Sequence, residues 1–425
     1  MPSAPPSATR QQTISLMDVI VGVELFILAL VYSRTYTFFP TLRSPLNWAA
    51  FMIPLAFVLP AFILRLQSAL ITIGIVIILF AYQLWFASLW HTPFTGTALG
   101  SYQGLLLTAM IAMHARRGDP SRFLTIFFVA ALCYLALYLY LCASINPEAI
   151  RIAQMQGSGD FASSIRRTHD SREGYIVESE YKVGTSGAIM SFLVLYSLGW
   201  SLTARGIVTK MTAITALALS CYAIWIADSR WNLLSTLIAC VVLLIPFGAR
   251  LRSLVAVAVA AAGIAIYTVA AFTSFNIFSF IAKDVTGAAR VSEFYAANPV
   301  LLRMPVSGIG IKNSADDYDT VFQGDVFTSD LGWYGDLIQT GVIGMLVLLF
   351  CHWVIARFAA RLSRTPGEIA AANIVSAYLI YLACVQFITP QLWGGAGSIL
   401  LCWSLAYVGV PYFRPTSQRS EGDPV

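Results

Sequence analysis

Apolar residues fall in long runs along this chain, and polar residues gather in the gaps between them. A helix needs roughly 20 residues at 1.5 Å rise to cross the hydrocarbon of a bilayer, so such runs predict membrane-spanning helices. The pattern predicts twelve, at residues 15–32, 46–64, 69–90, 99–114, 123–144, 186–203, 210–227, 232–248, 253–272, 331–353, 369–389 and 393–410. Most gaps are short, but residues 145–185 and 273–330 form two long loops. Asp18 and Glu24 interrupt the first run, which marks it as a retained span rather than a cleaved signal peptide. The expected division is a tail (1–14), five spans (15–144), a loop (145–185), four spans (186–272), a large loop (273–330), three spans (331–410) and a tail (411–425).

Composition narrows the class. A chain of 425 residues that is 58% hydrophobic and 11% charged, with mean hydropathy +0.74, is an all-α polytopic membrane protein, and a water-soluble core is excluded. Basic residues in short loops are retained on the cytoplasmic side during insertion. With the N-terminus inside, the inner short loops hold eleven: Arg65, Arg116, Arg117, Arg122, Arg205, Lys210, Arg250, Arg252, Arg357, Arg361 and Arg364. The outer ones hold three, Arg34, Arg43 and Arg230. Both tails are thus expected in the cytoplasm and both long loops outside. The net charge of +5 is mostly this topology signal, and without a basic stripe it gives no reason to expect nucleic acid.

All seven cysteines lie within apolar runs and none forms a CxxC pair, which argues against a disulfide framework or a thiolate metal site. The four histidines are scattered, His91 and His169 outside, His114 and His352 at inner helix ends, and are read as structural.

Polar chemistry therefore concentrates in the long outer loops. The first begins with a helix start, Asn146, Pro147 and Glu148, and later mixes Arg166, Arg167 and Arg172 with Asp170, Glu173, Glu178 and Glu180. These charges either pair with one another or, through Arg172, bind substrate. The second loop has helical spacing at Val291, Phe294, Tyr295 and Leu301 behind Arg290, expected to end near Asn298-Pro299. PVSGIG follows, where Gly308 and Gly310 allow a sharp turn and a close backbone approach, which makes them candidate substrate-binding residues. No βαβ unit surrounds them, so they are not a dinucleotide fingerprint. Arg230 joins two apolar helices at an outer turn. It either pairs with Asp228 at the headgroups or grips phosphate oxygens bidentately.

Ser229-Arg230 at a helix start, then R…EFYAANPVLLRMPVSGIGIKN, then SDLGWYGDLIQTGVIG leading into a span, resemble the O-antigen polymerase and O-antigen ligase superfamily over roughly residues 225 to 350. The resemblance implies a GT-C-like fold in the bacterial inner membrane. It also implies an enzyme that acts, without metal or other cofactor, on undecaprenyl-diphosphate-linked glycans at the periplasmic face. Membrane lipid, a chain-length regulator and a flippase of the same pathway are its implied partners. Arg230 and Arg290 match the positions of diphosphate-gripping arginines, with Arg303 a weaker candidate. Ligases carry a His-Asn-type pair eleven residues before a Gly-x-x-Gly step. Here that step starts at Gly341 and the position is Asp330, which favours the polymerase branch over the ligase; Gly341 and Gly344, one helical step apart, are expected to permit tight helix packing.

The chemistry itself needs fixed cations near the departing diphosphate and a base near the attacking sugar hydroxyl. Asp330 is the first candidate base, with Glu293 and Asp336 behind it. Asp316, Asp317 and Asp319 could hold a cation but are read as solvated. Trp333, Asp336 and Gln339, spaced by three, share a helix face. They either bind sugar with Trp333 stacked on a ring, or form an interfacial aromatic belt with Tyr334. The expected activity is polymerisation of O-antigen, capsule or exopolysaccharide. Rival functions are ligation to lipid A core, flipping of the lipid-linked sugar, and secondary transport. Transport is disfavoured because no repeat relates residues 1 to 200 with 201 to 425. A metal-dependent GT-C enzyme would carry an acidic pair in its first outer loop, which SRTYTFFPTLRSPLN lacks.

Overall fold

A computed structural model describes residues 14–33, 40–64, 66–89, 103–115, 120–144, 186–227, 230–281, 285–310, 331–365, 367–389, 392 and 396–407. Among these residues the chain is helical and contains no strand. In chain order the helices are α1 (Leu16–Tyr32), α2 (Pro40–Ile63), α3 (Gln67–Leu89), α4 (Gln103–Ala115), α5 (Pro120–Ser144), α6 (Gly187–Thr203), α7 (Ile207–Ile226), α8 (Arg230–Leu244) and α9 (Ala249–Phe272). A 3₁₀ helix (Ile277–Ile281), α10 (Val285–Arg303), α11 (Gly332–Leu362), α12 (Ile369–Val385) and α13 (Ala396–Ala406) complete the order. A helix lies in each of the twelve apolar stretches. By length and composition, five contain an apolar segment able to cross a membrane: α2, α5, α7, α9 and α11. Shorter apolar helices accompany them, and the chain is a multi-pass membrane protein.

The core centres on α12, which packs against α5, α6, α8, α9 and α11. Its residues are apolar on every side, the pattern of a helix enclosed by others. Intimate polar ties fix its neighbours. Tyr378 Oη donates to the Ala188 carbonyl of α6 at 3.0 Å, and Tyr381 Oη donates to Asn232 Oδ1 of α8 at 2.6 Å.

At the start of α1, Ser15 and Asp18 form a reciprocal capping box. The same Asp18 carboxylate accepts from Arg122 Nε of α5 at 3.0 Å, pairs with Arg122 Nη2, and meets His114 Nε2 of α4 at 2.9 Å. The acid that interrupts the first apolar run is thus the tie between three helices. Removing one partner of an enclosed ion pair leaves the other unpaired, so Asp18→Ala is expected to lower the unfolding free energy by about 3 kcal/mol. A double-mutant cycle with Arg122→Leu, followed by denaturant unfolding in micelles, checks this through a coupling of about 1 kcal/mol or more. Arg252, expected as a topology charge, is buried. Its guanidinium donates to the Leu243 and Ile245 carbonyls at the end of α8 and to Asn373 Oδ1 of α12. A cation there satisfies helix-terminal carbonyls and complements the helix dipole.

Three expectations are corrected. The helix of α10 does not stop at Asn298-Pro299 but runs to Arg303 with Pro299 inside it. Asn298 anchors that turn by donating to the Ala271 carbonyl at 3.1 Å and to Ser274 Oγ at 3.3 Å. Gly341 and Gly344 do not mark a helix-packing face; instead α11 breaks at Gly341, with φ 62° and ψ −168°. His352 is not at a helix end but in the body of α11, fully buried.

The break reverses the chain. The rings of Trp333 and His352 have centroids 5.5 Å apart, whereas nineteen residues of continuous helix would separate them by about 28 Å. Residues 332–340 therefore fold back against 342–362, and the latter segment alone is about 31 Å long, enough to cross the hydrocarbon. The span expected from residue 331 starts only after Gly341, and the residues before it form a re-entrant segment. The irregular backbone at the break is enclosed by protein, Gly341 being buried.

Candidate functional site

The re-entrant segment is held on two sides. On one, the loop 305–310 lies along the break and supplies its missing backbone partners. Ile309 and Gly310 N–H groups donate to the Ile338 and Gln339 carbonyls, each at 2.9 Å, while Val342 and Ile343 donate back to Pro305 and Val306 at 2.9 and 3.2 Å. Gly308 and Gly341 face each other so closely that a Cβ on either would overlap the other's backbone. Tyr82 of α3 clasps both strands of this contact, donating to the Ser307 carbonyl and to the Gln339 carbonyl at 3.1 Å. The close approach expected of PVSGIG is therefore to the broken helix.

On the other side lies the end of α12. Trp333 N–H donates to the Gln386 carbonyl at 2.8 Å, and Gln386 Nε2 donates to Asp336 Oδ2 at 2.6 Å. Both side chains of that bond are buried, and no donor among the described residues reaches Asp336 Oδ1. Tyr267 of α9 donates to the Phe387 carbonyl at 2.6 Å, and Trp231 of α8 donates to the Cys384 carbonyl at 3.2 Å. Residues 384–387 are thus where α8, α9 and the re-entrant segment meet.

Helix α10 joins the same cluster. Tyr334 Oη donates to Asn298 Oδ1 at 3.1 Å, and its ring stacks on Phe294 with centroids 4.7 Å apart. Arg290, half-buried on α10, interacts electrostatically with Tyr267. One turn on, Glu293 is buried, and it shares a helix face with Arg290 at a spacing of three. Tyr267 thus reaches the turn at 386–387 that also holds Asp336, and Arg290 lies within electrostatic range of Tyr267.

The other predicted residues fall around this cluster. Arg230 opens α8 beside Trp231 and is exposed; Arg303 closes α10 and is exposed. Gly308 and Gly310 are buried in the clasp, and Gln339 is half-buried at the break. Trp333 and Tyr334 are fully enclosed. Asp330, Arg172 and the acids at 316, 317 and 319 lie outside the described residues, as does the helix start at Asn146. Sequence reasoning missed Gln386, Tyr267 and Tyr82. The only signal for Gln386 is that it is one of two amides, with Asn373, in the apolar run 369–389. Among the described residues no group of three or more His, Cys, Asp or Glu side chains could hold a metal ion.

No family model matches the chain, and no curated protein matches it.

Proposed function

We propose that this protein is a polysaccharide polymerase of the bacterial inner membrane. It transfers a growing glycan from undecaprenyl diphosphate to a hydroxyl of the next lipid-linked repeat unit, using twelve spans in a GT-C-like arrangement. The observation that carries the reading is Asp336. One carboxylate oxygen is fixed by Gln386 and the other meets no donor among the described residues, within the cluster around residues 384–387. A base with one oxygen oriented and one open is suited to accept the proton of an attacking hydroxyl. Arginine keeps its charge at any working pH and suits the departing diphosphate, the role given to Arg290, Arg230 and Arg303. The order of Arg230, Arg290 and the GVIG step, without a histidine at 330, favours polymerase over ligase.

The test is to incubate the purified protein with a lipid-linked repeat unit and separate products by length. A ladder is expected. A single transfer to lipid A core would assign the chain to ligation, and absence of any new glycosidic bond would overturn the enzymatic reading in favour of transport.

A further inference from the structure

Two buried polar atoms outside the proposed mechanism lie close together beneath the re-entrant segment. Trp333 Nε1 and His352 Nε2 each have no hydrogen-bond partner among the described residues, and both side chains are 0% exposed. Their rings stand 5.5 Å apart between centroids. Buried polar groups are nearly always satisfied, so two orphans on adjacent enclosed rings call for a ligand of small size.

Their chemistry is complementary. Indole nitrogen only donates. His352 Nδ1 lies 2.9 Å from the Leu348 carbonyl, which can only accept, so Nδ1 carries the hydrogen and Nε2 of the neutral ring is an acceptor. One donor and one acceptor suit a group that is both, namely a hydroxyl. An oxygen about 2.9 Å from each nitrogen can bridge atoms up to about 5.8 Å apart. Gly263 of α9 lets the indole pack against its backbone, because a Cβ there would lie 2.6 Å from Trp333 Nε1.

We propose that Trp333 Nε1 and His352 Nε2 together bind one neutral hydroxyl, accepting from the indole and donating to the imidazole. Its source is either an internal water or a sugar hydroxyl of the substrate. Only the second source rests on the polymerase reading. In the first case the water ties the re-entrant segment to the long half of α11. In the second the site is a sugar subsite one helical turn from Asp336.

The test uses full-length protein with ¹⁵N-tryptophan in nanodiscs, and the Trp333 indole signal is assigned by its absence from Trp333→Phe. The signal is expected at a hydrogen-bonded position and to exchange magnetisation with water. His352→Leu should abolish that exchange, and His352→Gln, which keeps an acceptor, should retain it. Should Trp333→Phe not fold, the difference between those two histidine variants identifies the signal. A polyprenyl-diphosphate disaccharide is then added. Loss of water exchange with the indole still hydrogen-bonded assigns the hydroxyl to sugar; unchanged exchange assigns it to water. An indole at the free position, without exchange in either condition, overturns the site. Chain growth is not read in this experiment, so an inactive protein would contradict the polymerase reading while leaving the hydroxyl site to this result.

Discussion

Gly341→Ala is expected to unfold the clasp between the loop 305–310 and α11. The φ of 62° and ψ of −168° belong to a region that is essentially glycine's alone, costing another residue of order 1–3 kcal/mol. In addition, the new Cβ would overlap the Val306 carbonyl and the Gly308 nitrogen, both backbone atoms that cannot swing aside. The four backbone hydrogen bonds across the break depend on that approach. The combined loss is about 3 kcal/mol or more, read as a fall in thermal midpoint of the purified protein. Gly74→Ala is the control. Nothing lies within 4 Å of its Cβ position, and alanine is favoured over glycine inside a helix, so its midpoint should hold or rise slightly. Equal midpoints for Gly341→Ala and the unaltered protein would show that the break is not required.

Asp336→Asn is expected to keep the fold and lose chain growth. Asparagine preserves the shape of the side chain and can still meet Gln386, but it cannot take a proton. Loss of a positioned base typically costs 10²–10⁴-fold in rate. Arg290→Ala should cost about 10²–10³-fold through lost charge stabilisation of the diphosphate. Asp330→Asn separates the two acids. A full ladder from Asp336→Asn with none from Asp330→Asn would move the base to Asp330, the first candidate by position in the sequence.

Much of the architecture was legible because it depends on length and polarity alone. Every apolar run contains a helix, whereas Asp18, which in the sequence only interrupts the first run, proves to be part of its cap. The site was legible only in parts. GVIG reads equally well as a helix-packing step and as a break, and nothing local to it distinguishes them. The loop that supplies the partners for the break lies some thirty residues upstream, at 305–310, so the break is a tertiary property. Asn298-Pro299 was read as a stop because proline disfavours helix interiors. Here Pro299 is exposed on its helix, and the side chain of Asn298 holds the turn from outside it. Tyr82 is one of 19 tyrosines in a chain rich in aromatics, and no pattern separates it from those in the core.

What the account most depends on is the reversal at Gly341, which carries Asp336 to Gln386 and Trp333 to His352. In a variant with its seven native cysteines replaced, Trp333→Cys and His352→Cys can be treated with a short bifunctional thiol reagent. The fold-back predicts an intramolecular cross-link between positions 333 and 352. A continuous helix would hold them about 28 Å apart, and both cysteines taking up the monofunctional reagent without any cross-link between them would contradict the account.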